Sequence, residues 1–358
     1  MTSKQAVYIS QASNGELATF VLDTEQATLT PTGGISLGSK VSTQSFLEKS
    51  NTLFVARSEL PSYYIETFRV DRQDGSLHHL HTAQVNEGTT YLFAEPSGRY
   101  LLSASYGQNC LLVYRIEDLQ NDKAEPVSII RDIPRAHAII TSRDSQFAYA
   151  TSLKSDKVLA FKLEANGQLN LIETVSLEAG FGPRHLVLSS DEKTLHVLSE
   201  LDARIASFHR DAETGKLGAV AVSAAPTQIA YLDAGFPRPD ASDDKQLDPE
   251  SVKNLIWAAD LHLTENPRRI IASERTSSQL LTYEENTDHT LECVVATACP
   301  QQPRGFRIDA TEQFLIATGE RSDTISLYKL QQKREMTLVQ EVKTQAGGNW
   351  ISIIPLDN

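Results

Sequence analysis

Apolar and polar residues alternate along most of this chain, in short runs cut by turns of Gly, Asn, Asp and Ser. Stretches such as GRYLLSASYGQNCLLVY, QFAYATSLKSDKVLAF and TLHVLSELDARIASF read as strand, turn, strand. A period of two puts every second side chain on one face of a pleated strand. RRIIASERTSSQLLTY and QFLIATGERSDTISLY repeat the pattern, and AVYISQASNGELATF and NTLFVARSELPSYYIETF are looser copies. The aromatics that close the copies are Phe20, Phe68, Tyr114, Phe161, Phe208, Tyr283 and Tyr328, separated by 48, 46, 47, 47, 75 and 45 residues. A further strand follows the aromatic, introduced by turns such as DGSL, NGQL and TGKL. Enrichment in Val, Ile, Tyr, Phe and Thr argues for strands rather than helical repeats. Four short strands per unit, repeated seven times, predict an all-β fold: a seven-bladed β-propeller with four-stranded antiparallel blades.

The two ends of the chain predict closure. The first unit starts midway, and the last segment, GNWISIIPL, matches the first strand of the other units. Residues 349–355 should therefore complete the blade begun by residues 5–30, removing free sheet edges. Residues 1–358 then read as a single propeller domain. The long interval marks an insertion at about 224–254, rich in Pro, Asp and Ala.

Composition narrows the class. The chain has 358 residues, 40% apolar and 22% charged, as expected of a globular protein with a sizeable core. No apolar run approaches the length of a membrane span, and the opening residues lack a signal-peptide pattern. Cys110, Cys293 and Cys299 have no metal-ligand spacing and read as free thiols in a reducing cytoplasm. A net charge of −13 argues against nucleic acid as a partner. It leaves room for an anionic small molecule, because the charges lining a cleft set its field. Closure of all blades favours a monomer.

Aligning the repeats turns spacing into geometry. Blade strands run alternately up and down, so the loop entering the first strand and the turn between the second and third share a face. Arg184 aligns with His137 and Arg304, each at the start of an inner strand; Glu200 aligns with Tyr106, Leu153, Arg275 and Glu320. Both sets should ring one mouth of the central channel, with His185 beside Arg184. WAADLHLT adds Asp260 and His262 on another inner strand. Singly, a histidine at a strand start can cap a turn and a glutamate after a strand is usually solvated; their convergence is what points to a site. His78, His79 and His81 in LHHLHT fall on an outer strand and read as a solvated edge. Neither a nucleophile elbow nor a phosphate loop is present. No dense Asp/Asn/Glu set suggests calcium, so neither metal nor cofactor is expected.

GPRHLVL with SEL beyond it, WAADLHLT, SERTSSQLLTY, QQPRGFRIDATEQFLIATGERSDTISLY and SLKSDKVLAF resemble the propeller-type 6-phosphogluconolactonases of bacteria. These belong to a larger seven-bladed lactonase family that includes a fungal carboxymuconate-lactonising enzyme. TTYLFA, RAHAIIT and AGGNWISII depart from the family's pattern. The resemblance implies a cytosolic hydrolase that opens 6-phospho-D-glucono-1,5-lactone in the oxidative pentose phosphate pathway. It implies His137, Arg184, His185, Glu200 and Arg275 as catalytic positions, with Asp260, His262 and Arg304 binding substrate. Lactone hydrolysis needs a positioned water, a base and donors for the oxyanion. Glu200 or His137 is the expected base, Arg184 the oxyanion donor oriented by His185, and Arg275 and Arg304 the phosphate clamp. Two other readings use the same mouth: a non-catalytic propeller that binds a metabolite or protein, and a lactonising cycloisomerase acting on a dicarboxylate.

Overall fold

The computed structural model describes residues 3–239, 248–266, 268–286, 290–331 and 334–357. Their strands form seven four-stranded antiparallel sheets, the blades of a closed propeller. Blade 1 joins the two chain ends: Gly348–Pro355 pairs with Lys4–Gln11 in a register running from Gln5 opposite Pro355 to Gln11 opposite Gly348. Glu16–Asp23 and Thr28–Ser36 complete it. The inner strands of blades 2 to 7 are Lys40–Leu47, Tyr91–Ala94, Ala136–Thr141, Pro183–Leu188, Ala258–Glu265 and Gly305–Ile308.

The repeating aromatics explain how the ring holds together. Phe20, Phe68, Tyr114, Phe161, Phe208, Tyr283 and Tyr328 all lie in third strands and are buried. Apolar clusters fill the spaces between neighbouring blades. One joins Phe54 and Ile65 of blade 2 to Leu101 and Leu112 of blade 3; another joins Tyr149 and Ala160 of blade 4 to Leu195 and Phe208 of blade 5. A cluster of Phe314, Ile316 and Ile325 with Val7 and Phe20 seals blade 7 to blade 1. Because hydrophobic stabilisation scales with apolar area removed from water, the core is distributed over the interblade seams and leaves the axis free for polar residues. The insertion lies between Val222, where blade 5 ends, and Ala258, where blade 6 begins. Its residues 240–247 lie outside the described residues. His78, His79 and His81 sit exposed on the outer strand Leu77–Val85.

Candidate active site at the propeller mouth

Strict alternation would send consecutive strand residues to opposite faces. The inner strands of blades 2, 4, 5 and 6 break that rule at the same place. In blade 5, Pro183 pairs with Ser199 and Leu186 with Val197, so Arg184 and His185 together oppose one residue. The same irregularity carries His137–Ala138 in blade 4, Ala259–Asp260 in blade 6 and Ser42–Thr43 in blade 2. In blade 1 it holds Asn349. A β-bulge re-aims side chains and leaves a backbone group outside the ladder. Two second-strand hydroxyls take up those groups: Ala138 N–H donates to Thr151 Oγ1 at 3.1 Å and Asp260 N–H to Ser273 Oγ at 3.0 Å. Thr151 donates in turn to the Arg184 carbonyl at 2.7 Å, locking adjacent bulges together.

The bulges of blades 1, 2, 4 and 5 open onto a cavity of about 680 Å³, lined by His137, Arg184, His185, Arg304, Glu320 and Trp350 together with Ser42, Thr43 and Asn349. The volume suits a small organic ligand. Behind its wall stands Glu200, 5% exposed, with each carboxylate oxygen claimed by a guanidinium. Oε2 accepts from Arg184 Nε at 3.1 Å and Oε1 from Arg275 Nη2 at 2.7 Å. Burial alone would raise the Glu200 carboxyl, but Arg275, Arg184 and Arg238 outweigh it and hold it below the usual carboxylate range. Arg184, 1% exposed, also donates from Nη1 to the Ala259 carbonyl. Its Nη2 has no hydrogen-bond partner among the described residues.

His185 and Asp260 form a second buried pair. His185 Nδ1 lies 2.9 Å from Asp260 Oδ1, and His262 Nε2 lies 3.1 Å from Oδ2. Asp260 also accepts from the backbone N–H groups of Leu261 and Phe306. Burial opposes its ionisation, yet His262 and these hydrogen bonds keep the carboxyl well below its ordinary value. An ionised carboxylate only accepts, so the hydrogen sits on Nδ1 and the lone pair on Nε2 of His185. Burial, followed by the nearby Arg184 charge, lowers His185 to about 4, so it is neutral at neutral pH. His137 is driven well below its usual value by burial and by Arg184. Its Nε2 is 3.9 Å from Glu200, its Nδ1 is buried without a partner among the described residues, and its ring centroid lies 5.3 Å from that of His185.

The expected residues thus form one neighbourhood, but not one wall. Arg184, His137, His185 and Arg304 line the cavity; Glu200 and Asp260 stand behind, holding them. Arg275 donates to the Trp257 carbonyl and to Glu200 and faces a neighbouring side pocket. His262 packs edge-on against Phe306, with ring centroids 4.8 Å apart. Arg304 is about one-third exposed and pairs with Glu320 at 3.3 Å. Residues that sequence alignment did not single out complete the site. Tyr91 and Trp350 pack against His185 with centroids 5.1 and 5.8 Å away. Arg238, from the insertion, lies over the Trp257 ring at 4.3 Å. Only its place in the insertion beside a tryptophan-bearing inner strand hinted at it. Among the described residues no group of three or more His, Cys, Asp or Glu is placed to hold a metal ion.

Comparisons with known proteins agree with this architecture. The family described as "Lactonase, 7-bladed beta-propeller" matches residues 6–353. The 6-phosphogluconolactonase of Pectobacterium carotovorum is 26% identical, the match covering 99% of this chain and 100% of the relative. That of Yersinia enterocolitica is 27% identical over 98% of each. The periplasmic gluconolactonase of Pseudomonas aeruginosa superposes with a TM-score of 0.79 at 19% identity, covering 98% of this chain and 99% of that one, a likeness of fold. The chain belongs to the lactonase family of seven-bladed β-propellers.

Proposed function

We propose that this protein hydrolyses 6-phospho-D-glucono-1,5-lactone to 6-phosphogluconate at the propeller mouth. The observation that carries the mechanism is the His185–Asp260 pair at 2.9 Å, set beside Arg184 on the cavity wall. Asp260 fixes the tautomer, so Nε2 of His185 takes a proton from water as the water oxygen attacks C1. The carbonyl oxygen becomes an oxyanion facing the unspent Nη2 of Arg184. When the tetrahedral intermediate collapses, the bond from C1 to the ring oxygen breaks. His185 returns its proton to that oxygen, and the products balance as lactone plus water.

Glu200 is a poor base, because both oxygens are held by guanidiniums and it stays ionised without accepting a proton. It serves instead to aim Arg184 and to neutralise part of the buried positive charge. An anionic lactone suits a mouth where Arg184, Arg238, Arg275 and Arg304 cluster around Glu200 and Glu320. Such a substrate would also offset the arginine charge that depresses His185, bringing its pKa closer to the working pH. The relatives named 6-phosphogluconolactonase match along their whole length, which supports this substrate. The same reading makes the protein a cytoplasmic monomer, supported by the free thiols of Cys110, Cys293 and Cys299 and by a sheet closed at both chain ends.

Freshly generated lactone, coupled to NADPH formation by 6-phosphogluconate dehydrogenase, provides the test against the spontaneous rate. Acceleration by the wild type, reduced about 10²–10³-fold in kcat by Arg184→Ala, is the expected result for loss of an oxyanion donor. Well-folded protein that leaves the spontaneous rate unchanged overturns the proposal.

A further inference from the structure

Beside the central cavity, between blades 6 and 7 and against the insertion, lies a second pocket of about 300 Å³. Its lining includes Arg238, Lys253, Arg275 and Arg321, with Ser278 and Gln302 among the neutral donors, and no carboxylate among the described residues. Lys253 is paired with Glu250 at 2.5 Å, and Arg275 spends Nε and Nη2 on Trp257 and Glu200. Arg321 is exposed, and neither it nor Arg238 has an ion-pair partner among the described residues. Arg238 Nε is buried with no hydrogen-bond partner among the described residues, although the guanidinium lies over the Trp257 ring. Crowded guanidiniums repel one another, and a buried N–H without an acceptor costs free energy. A bound anion relieves both, and the planar guanidinium fork matches phosphate oxygens.

The pocket adjoins the mouth through the chain itself. Arg238 precedes Pro239, Arg321 follows Glu320, and Gln302 lies two residues before Arg304; Pro239, Glu320 and Arg304 all line the central cavity. Arg275 joins the two spaces, since it lines the side pocket while holding Glu200, which in turn aims Arg184. We infer that this side pocket is a phosphate-monoester subsite, in which Arg238 and Arg321 grip the phosphate of the substrate while its lactone ring lies against His185 and Arg184. The assignment of the phosphate to the substrate rests on the proposed lactonase function. It moves phosphate recognition from Arg304, which is committed to Glu320, to two arginines without an ion-pair partner among the described residues.

Two measurements on Arg321→Ala and Arg238→Ala test the subsite. Calorimetric titration with inorganic phosphate reads the pocket without catalysis, and kcat/KM on 6-phosphogluconolactone relative to gluconolactone reads its use. Loss of one charged hydrogen-bonding partner should weaken phosphate binding about 10–100-fold and cut the preference for the phosphorylated lactone by a similar factor. Phosphate binding equal in wild type and both variants overturns the inference, as does an equal loss on both lactones. Phosphate binding that both variants abolish, in a wild type that hydrolyses neither lactone, supports the anion site and overturns the lactonase function instead.

Discussion

Blades 2 and 5 carry the same bulge at the same height of the inner strand, yet only one of them carries reactive chemistry. In blade 2 the bulge presents Ser42 and Thr43, and in blade 5 it presents Arg184 and His185. Both pairs face the central cavity. The backbone device therefore belongs to the fold, whereas the chemistry lies in which residues occupy it. Blade 2 uses its bulge almost locally: Ser42 donates to the Ala56 carbonyl at 3.2 Å, and Thr43 Oγ1 accepts from Leu92 N–H in the adjoining blade. Blade 5 ties its bulge into charged contacts instead, with Arg184 reaching Glu200 within the blade and the Ala259 carbonyl of blade 6, and His185 reaching Asp260 of blade 6. One wall of the mouth is a charged network spanning blades 4 to 7; on the facing side the blade 2 bulge itself is neutral, although Lys40 and Arg57 also line the cavity there, Arg57 paired with Glu66.

The largest expected effect breaks that contrast at His185. His185→Gln should lower kcat about 10²–10⁴-fold, the usual contribution of a positioned general base, with the fold intact by circular dichroism. In the wild type the pH profile should carry the same signature. Protonation disables the base, and burial with Arg184 lowers His185 to about 4. Hence kcat/KM should hold steady as pH falls through the ordinary histidine range near 6.5 and decline only toward about 4. An acid limb near 6.5 would remove His185 from the role. Next comes Glu200→Gln, which keeps the shape but leaves Arg184 and Arg275 buried without their shared counter-charge. Breaking a buried ion pair from one side costs about 3–5 kcal/mol of stability, read from urea midpoints. A loss below about 1 kcal/mol would mean that the carboxylate is not holding the network.

The sequence made the ring legible because the aromatic spacing reports a packing unit: each closing aromatic fills an interblade seam, so its period is the period of the blades. Alignment within that period also placed Arg184 level with His137, and Glu200 level with Arg275. What it did not carry was direction. Strand alternation would have separated Arg184 from His185, and nothing in the letters GPRHLVL marks a bulge that turns both toward the axis. Nor did spacing say that Glu200 would be bracketed by two arginines, which removes it as a base. Arg238 lay in a segment without repeat register, so its partnership with Trp257 depended on a tertiary contact that alignment does not encode.

The smallest effect sharpens the comparison of the two walls at the hydroxyl that supports a bulge. Thr151 sits on the second strand of blade 4, accepts from Ala138 N–H and donates to the Arg184 carbonyl, joining the bulges of blades 4 and 5. Thr151→Val keeps the volume and removes both bonds, leaving a buried backbone donor without a partner. That should cost about 1–3 kcal/mol. Because the lost bonds anchor His137 and Arg184, kcat should fall together with the urea midpoint. Ser42→Ala, on the half-buried bulge of blade 2, removes one bond to Ala56 and should cost about 0.5–1.5 kcal/mol with little change in kcat. The pair separates two explanations of the bulges. If both substitutions reduced kcat alike, the bulges would act through the shape of the ring as a whole. If only Thr151→Val does so, the support is local to the charged wall, and the blade 2 bulge is the same backbone device serving only the ring.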